Sequence, residues 1–343
     1  MIKVGIIGGA GYTAGELIRL LLNHPDAEIV FVNSASNAGN KVTAVHAGLY
    51  GETDIMFTNK LPLDEIDLLF FCTAHGETKK FLESNHISDK LKIIDLSQDY
   101  RLISSLQTTE KLKLIDLNQD KQPASPTYNF IYGLPELNRQ AICKSKYVAN
   151  PGCFATGIQL ALLPLAQHQM LNNSIHVNAI TGSTGAGVKP SSTTHFSWRN
   201  NNISVYKPFE HQHLAEIRQS LKQLQHNFHS AINLIPVRGD FTRGIFTTAY
   251  MACKTELDEI KRIYSDYYDD HPFTFVVEEN PDLKQVINSN KCLLYLQKIE
   301  GKLLIISVID NLLKGASGQA IHNMNLLFDL DEPVGLQLKC SAF

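Results

Sequence analysis

The sequence of 343 residues lacks any long apolar run. The longest, such as Leu68 to Cys72 and Leu303 to Ile309, fall far short of the roughly 20 residues that a bilayer-spanning helix requires. It also lacks an excess of one charge: 31 Lys and Arg stand against 34 Asp and Glu, without the basic surplus on which nucleic-acid binding by counterion release rests. Cysteines are few and scattered. Cys72, Cys143, Cys153, Cys253, Cys292 and Cys340 include no C-x-x-C pair and no partner histidines at zinc spacing, so no disulfide framework or metal site is expected, and most of the six should be buried, reduced and inert. Internal repeats, low-complexity tracts and an apolar leader segment are missing as well. The expectation is a cytoplasmic protein with no nucleic-acid or membrane partner. What remains, 44% hydrophobic and 19% charged residues, is an ordinary globular composition in a chain about twice the length of one domain.

Residues Ile2 to Ile7 form an apolar run that breaks into GGAGYTAG and then into a helical pattern, with Leu17, Leu20 and Leu21 on one face and Pro25 beyond its end. A strand from Glu28 to Asn33 completes a βαβ unit. Strands at Leu68 to Thr73 and Lys92 to Leu96, with a helix-like segment between them, continue a doubly wound parallel sheet. Beyond Asn150 the pattern changes. A long helical stretch opens at Cys153, and alternating strands follow at Ser174 to Ile180, Ala231 to Val237, Gly244 to Cys253, Cys292 to Lys298 and Leu303 to Ile309, with helices near 213–226 and 256–268. The last two strands are joined at Glu300, Gly301 and Lys302, a hairpin signal. The expected fold is α/β: a Rossmann-type dinucleotide-binding domain over 1–149, rejoined by a C-terminal helix within 316–343, and an α+β catalytic and dimerisation domain with a mixed sheet over 150–315.

The glycines of 8–15 stand where a strand must turn sharply and let backbone amides approach a pyrophosphate at a helix N-terminus. Where NAD-binding units place a carboxylate at the end of the second strand, this chain has Asn33, Ser34, Ala35 and Ser36. Hydroxyls and amides tolerate a 2′-phosphate, which favours NADP, although the nearest cation in sequence is Lys41. In NPGCFATG, Cys153 falls in the first turn of a helix, where free amides and the dipole should lower its pKa and could hold an oxyanion. His211 and His213, opening a helix whose apolar stripe is Leu214, Ile217, Leu221 and Leu224, offer an acid/base partner. The same pair could be metal ligands or exposed polar residues at a helix start, and no third ligand is clustered with them.

Taken together, GGAGYTAGEL, TAHG at 73–76, DLSQDYR at 95–101, YGLPEL at 132–137, NPGCFATG at 150–157, GSTGAG at 182–187, EHQHLAEI at 210–217, PVRGDFTRG at 236–244 and DNLLKGASGQAIHNMN at 310–325 resemble the N-acetyl-γ-glutamyl-phosphate reductases. These are NADPH-dependent acyl-phosphate reductases of arginine biosynthesis, related to aspartate-semialdehyde dehydrogenases. The resemblance covers essentially the whole chain. It implies Cys153 as the nucleophile that forms a thioester and His213 as acid/base. It implies substrate contacts at Arg101, His211, Asn150 and Glu216. Cofactor contacts are implied at Gly8, Gly11, Tyr12, Thr13, Ala14 and Gly15, at Ser34 and Ser36 near the adenosine phosphate, and at His75, Gly76, Ser183, Gly185 and Asn311 around the nicotinamide. The chain departs from the family pattern at Ala14, Ala74, Gln212 and Ala215, and has no arginine near Ala35. A homo-oligomer, dimer or tetramer, is expected. The N-acyl group, acetyl or a larger anionic one such as succinyl, stays open, and the aspartate-semialdehyde enzyme is the rival reading.

Overall fold

A computed structural model describes residues 1–102 and 128–341. The apolar segments of the N-terminal half assemble into a seven-stranded sheet of β1 (Ile2–Ile7), β2 (Ala27–Asn33), β3 (Phe57–Thr58), β4 (Leu68–Phe71), β5 (Lys92–Asp95), β6 (Ile131–Tyr132) and β7 (Tyr147–Ala149). Its order is 3-2-1-4-5-7-6 and every pairing is parallel. A parallel sheet must be covered on both faces, which explains the unbroken burial of Leu68 to Phe71. On one face Val4, Ile6 and Phe70 pack with Leu17 and Leu21 of α1 (Tyr12–Leu22) and with Ile321 and Met324 of α8 (Gly318–Leu327). On the other, Phe71 and Ile93 pack with Leu82 of α2 (Glu77–Ser84). The helix α3 (Pro135–Cys143) lies against α8. The last helix therefore rejoins the first sheet. A π-helical turn, Leu313–Ser317, leads into it. β1 and β4 are neighbours though not consecutive, so strand order reverses between them and opens a crevice at their C-terminal ends.

The second sheet holds β8 (Ile175–Thr181), β9 (Ser204–Val205), β10 (Ile232–Arg238), β11 (Ile245–Ala252), β12 (Thr274–Val277), β13 (Cys292–Ile299) and β14 (Lys302–Ile309), in the order 12-13-14-11-8-10-9. β8 with β10 and β12 with β13 are parallel and the other pairs antiparallel. Glu300 and Gly301, both with positive φ (48° and 72°), close the β13–β14 hairpin. One face is covered by α4 (Cys153–Gln167) and α7 (Leu257–Tyr268), with α6 (His213–Leu224) packed on α4. Burial alternates along β8, β10 and β11, as in a sheet covered on one side. From Phe154 to Ala166 α4 is buried all round, as its nearly continuous apolar sequence dictates. That fixes where its first residue, Cys153, emerges.

Strand bounds differ from the sequence expectation by a residue or two. The two-residue strands β3, β6 and β9 and the one-turn helix α5 (Phe196–Arg199) carry too little pattern to be expected at all. The cysteine expectation needs correction too: all six are free, yet only Cys292 is fully buried and Cys143 is exposed.

Candidate active site

Between the C-terminal ends of β1 and β4 and the N-terminus of α4 lies a cavity of about 610 Å³, with Cys153 on its wall. Gly152 caps α4 with extended backbone and no side-chain cap, leaving the first-turn amides free of the helix ladder. A Cβ at Gly152 would collide with His213 Nε2 and Arg101 Nη1, and one at Gly315 would come within 2.8 Å of the Cys153 Cβ. The absence of side chains at these two positions lets α6, the DLSQDYR loop and the 310–315 segment close around the thiol.

Behind the cavity wall, Glu216 on α6 gathers the site. Its Oε2 accepts hydrogen bonds from the Gly152 N–H (3.0 Å) and the Tyr132 hydroxyl (2.9 Å), and its Oε1 from Arg101 Nη1 (3.3 Å). Gln159 Nε2 donates to the Tyr132 hydroxyl (2.8 Å), and Arg101 Nη2 donates to the Leu96 carbonyl (2.8 Å). Burial alone would raise the Glu216 pKa, but His213, Arg101 and the Gly152 N–H outweigh it and hold it below the usual range. His213 Nε2 lies 3.8 Å from Glu216 Oε1. The imidazole is nonetheless pushed down to about 3 by burial, with Arg101 and His211 adding to the effect against Glu216. Burial and Lys207 push His211 down to about 4. His211 Nδ1 accepts from the His213 backbone N–H (3.3 Å), and the two rings meet edge to face at 4.7 Å. Both histidines are therefore neutral bases at pH 7.

The thiol behaves differently from the sequence expectation. Burial pushes Cys153 up to about 11, outweighing Arg101 and the N–H groups of Phe154 and Cys153, which favour thiolate. Helix-end electrostatics is present, but desolvation is larger because α4 enters the core directly beneath the residue. The resting group is a thiol, not a thiolate. Cys72, one of the six scattered cysteines, also lines the cavity at the end of β4, its thiol raised to about 12 by burial.

Of the residues singled out in the sequence, Arg101, Asn150, Cys153, His211 and His213 share this cavity with Gly11, Tyr12, Thr13, His75, Ser183, Gly185 and Asn311. Others do not reach it. Glu216 is only 3% exposed and supports Arg101 from behind. Gly8 (φ +82°) turns the chain where a Cβ would meet the Cys72 carbonyl oxygen at 2.6 Å, and a Cβ at Gly15 would meet His46 Nδ1 at 2.6 Å. Ala14 is fully buried in α1. Gly76 caps α2 with positive φ, its N–H donating to Asp99 (2.6 Å). Ser34 and Ser36 stand apart from the cavity, both accepting from the Asn37 side-chain amide (3.1 and 3.0 Å). Lys41 is paired with Asp54 (2.7 Å). Sequence reading missed Tyr132, Arg199, Tyr206 and Arg238. Tyr132 and Arg238 lie inside the quoted YGLPEL and PVRGDFTRG segments, whereas nothing in SWRN pointed to Arg199.

Gly11 tests whether a dinucleotide fits. It lines the cavity, a Cβ there would meet nothing nearer than the Gly8 carbonyl at 4.0 Å, and α1 has neither a side-chain cap nor an acidic residue in its first turn. Free amides and open backbone at a helix N-terminus suit a pyrophosphate. Among the described residues no group of three His, Cys, Asp or Glu could hold a metal ion, and no helix is long and apolar enough to cross a membrane.

Residues 3–145 match the semialdehyde dehydrogenase NAD binding domain, and residues 153–311 match the semialdehyde dehydrogenase dimerisation domain. The cofactor is thus a nicotinamide dinucleotide and the chain an oxidoreductase. Aspartate semialdehyde dehydrogenase II from Vibrio cholerae, solved in complex with ASA, superposes with a TM-score of 0.69 at 14% identity, covering 96% of this chain and 98% of that one. The Candida albicans aspartate semialdehyde dehydrogenase with NADP gives 0.68 over the same shares, also at 14% identity. These likenesses show the fold. Sequence relatives go further: N-acetyl-gamma-glutamyl-phosphate reductases from Parabacteroides distasonis, Bacteroides fragilis and Flavobacterium johnsoniae are 68%, 65% and 51% identical, each covering all of both chains. With whole-length identity of this order and a cysteine at the head of a buried helix beside two neutral histidines, the chain belongs to the N-acetyl-γ-glutamyl-phosphate reductase family.

Proposed function

We propose that this chain reduces N-acetyl-γ-glutamyl phosphate to N-acetylglutamate semialdehyde, releasing phosphate, through a thioester on Cys153, as a step of arginine biosynthesis in the cytoplasm. The observation that carries the reading is Cys153 at the head of α4, on one cavity wall with His213, whose imidazole is neutral at pH 7. His213 takes the thiol proton as the sulfur attacks the acyl carbon, the S–C bond forms and the C–O bond to phosphate breaks. The amides of the first turn of α4, which have no side-chain cap, would stabilise charge on the carbonyl oxygen. The dinucleotide, when bound, supplies the hydride that reduces the thioester. His213 then returns its proton as the C–S bond of the thiohemiacetal breaks and the thiol re-forms. Covalent catalysis divides one difficult reduction into two steps, and the acid/base group contributes about 10²- to 10⁴-fold.

The finer cofactor choice is NADP. The turn after β2 offers hydroxyls of Ser34 and Ser36 and no carboxylate that would repel a 2′-phosphate. Gly11, Tyr12 and Thr13 would hold the pyrophosphate, while His75, Ser183, Gly185 and Asn311 would border the nicotinamide. Cys153 and His213 are the catalytic pair, and Arg101, His211 and Asn150 face the substrate. A homo-oligomer formed on the outer face of the second sheet is supported by the match to a dimerisation domain and by the exposed Tyr250 and Phe275 on that face. The test is phosphate-dependent reduction of NADP by the semialdehyde, comparing wild type with Cys153→Ser and with NAD. Turnover should vanish in the variant and favour NADP; undiminished turnover in Cys153→Ser refutes the covalent route.

A further inference from the structure

The cationic groups on the cavity wall fall into two kinds. Arg101 is neutralised: it pairs with Glu216 and donates to the Leu96 carbonyl. Arg199, the last residue of α5, and Arg238, the last of β10, also line the cavity, and among the described residues neither makes an ion pair. Arg199 is only 9% exposed. Its Nη2 donates to the Thr181 carbonyl (3.1 Å), while its Nε is buried without a partner. Arg238 lies over the Tyr206 ring, 4.2 Å from its centroid, with Nη1 3.5 Å from Ser204 Oγ as its weak polar contact. Burial and the nearby Arg238 guanidinium both lower the Arg199 pKa, against Tyr206 and Asp240.

Two like charges beside one another in a partly dry wall are unfavourable unless an anion comes between them. The fold holds them there all the same. Arg199 is tied to the end of β8 through Thr181, and Arg238 is stacked on Tyr206, whose ring meets His211 edge to face at 5.8 Å. His211 in turn meets His213, so Arg238 is linked to the candidate acid/base imidazole through a row of rings. Planar guanidinium groups with free N–H donors match a carboxylate in geometry as well as charge.

We propose that Arg199 and Arg238 form a carboxylate subsite that seats the substrate by an anionic group separate from its acyl phosphate. The proposal rests on the acyl-phosphate reductase reading and adds to it the residues that select the substrate. Two carboxylates could occupy the subsite, the α-carboxylate of the glutamyl unit or one carried on a dicarboxylic N-acyl group.

The first arm of the test needs no substrate. Cys153 is alkylated with iodoacetate and with iodoacetamide and followed by peptide mass spectrometry, which separates it from the exposed Cys143. In wild type the iodoacetate-to-iodoacetamide rate ratio should exceed that of a free thiol by about tenfold or more. In Arg199→Gln and Arg238→Gln it should fall toward the free-thiol value, with the iodoacetamide rate little changed, and Arg238→Lys should restore part of it. The second arm is turnover with N-acetyl and N-succinyl glutamate semialdehydes, where the arginine variants should raise KM by about tenfold or more and leave the dinucleotide KM unchanged. Equal losses for both substrates place the α-carboxylate in the subsite, and a loss confined to the succinyl substrate places the acyl carboxylate there. A charge-dependent alkylation ratio in an enzyme that turns over neither semialdehyde supports the subsite and rejects the reaction. An alkylation ratio indifferent to both arginines, or unchanged KM for both substrates in folded variants, overturns the proposal.

Discussion

The substitution Glu216→Gln keeps the shape of the side chain and removes its charge, which isolates what that charge does. In wild type Oε2 receives the Gly152 N–H and the Tyr132 hydroxyl, and Oε1 receives Arg101 Nη1. If the amide oxygen of the variant takes the Oε2 place, those two donors are kept, but its NH₂ then faces Arg101 Nη1, donor against donor. The Arg101 side chain, 9% exposed, loses its counter-charge. Stranding one member of a buried pair costs about 3–5 kcal/mol. At roughly 2–4 °C per kcal/mol for a unit the size of the second domain, the melting midpoint should fall by about 6 °C or more at pH 7. The pH dependence has a definite sign. A carboxylate whose folded pKa lies below its unfolded value adds stability above the unfolded pKa and loses it as pH falls through the folded one. Glu216 is lowered from its ordinary value of 4.5, so the difference between wild type and variant should shrink on acidification below about pH 4.5. Thermal melts of both proteins between pH 3 and 8 read this directly. A midpoint within about 1 °C of wild type at pH 7, or a difference that does not change with pH, refutes the claim that this carboxylate holds the site together.

Two further outcomes follow from the geometry. With the Cys153 thiol raised to about 11, the iodoacetamide rate at Cys153 in the free enzyme should keep rising to pH 10 and above; a plateau near pH 7 would mean that the helix end outweighs burial. Gly8→Ala should destabilise the chain by about 1–3 kcal/mol and weaken dinucleotide binding in a fluorescence titration, because its φ of +82° and the Cys72 carbonyl at 2.6 Å leave no place for a Cβ. Unchanged stability and affinity would show that the loop can shift.

The parts of the fold that could be read from the sequence are those governed by local periodicity. β1, the glycine turn and α1 announce themselves within 22 residues, and the β13–β14 hairpin is marked by Glu300 and Gly301. The hub at Glu216 is not local: its partners Tyr132 and Arg101 lie 84 and 115 residues away, and only packing brings them together. The same holds for Arg199, whose one-turn helix carries no pattern and whose neighbours come from β8 and β10. The protonation of the Cys153 thiol escapes sequence reading for a related reason. An N-terminal position can be seen in the sequence, whereas the desolvation that opposes it depends on how deeply α4 enters the core.

The central claim is that Cys153 carries the acyl group. Mixing the enzyme with N-acetyl-γ-glutamyl phosphate without dinucleotide, quenching in acid and mapping the adduct by peptide mass spectrometry tests it most directly. One acyl group on Cys153, absent from Cys153→Ser and discharged on adding NADPH, is the predicted result. Reduction proceeding with no adduct on that cysteine, or with the adduct on another residue, would contradict it.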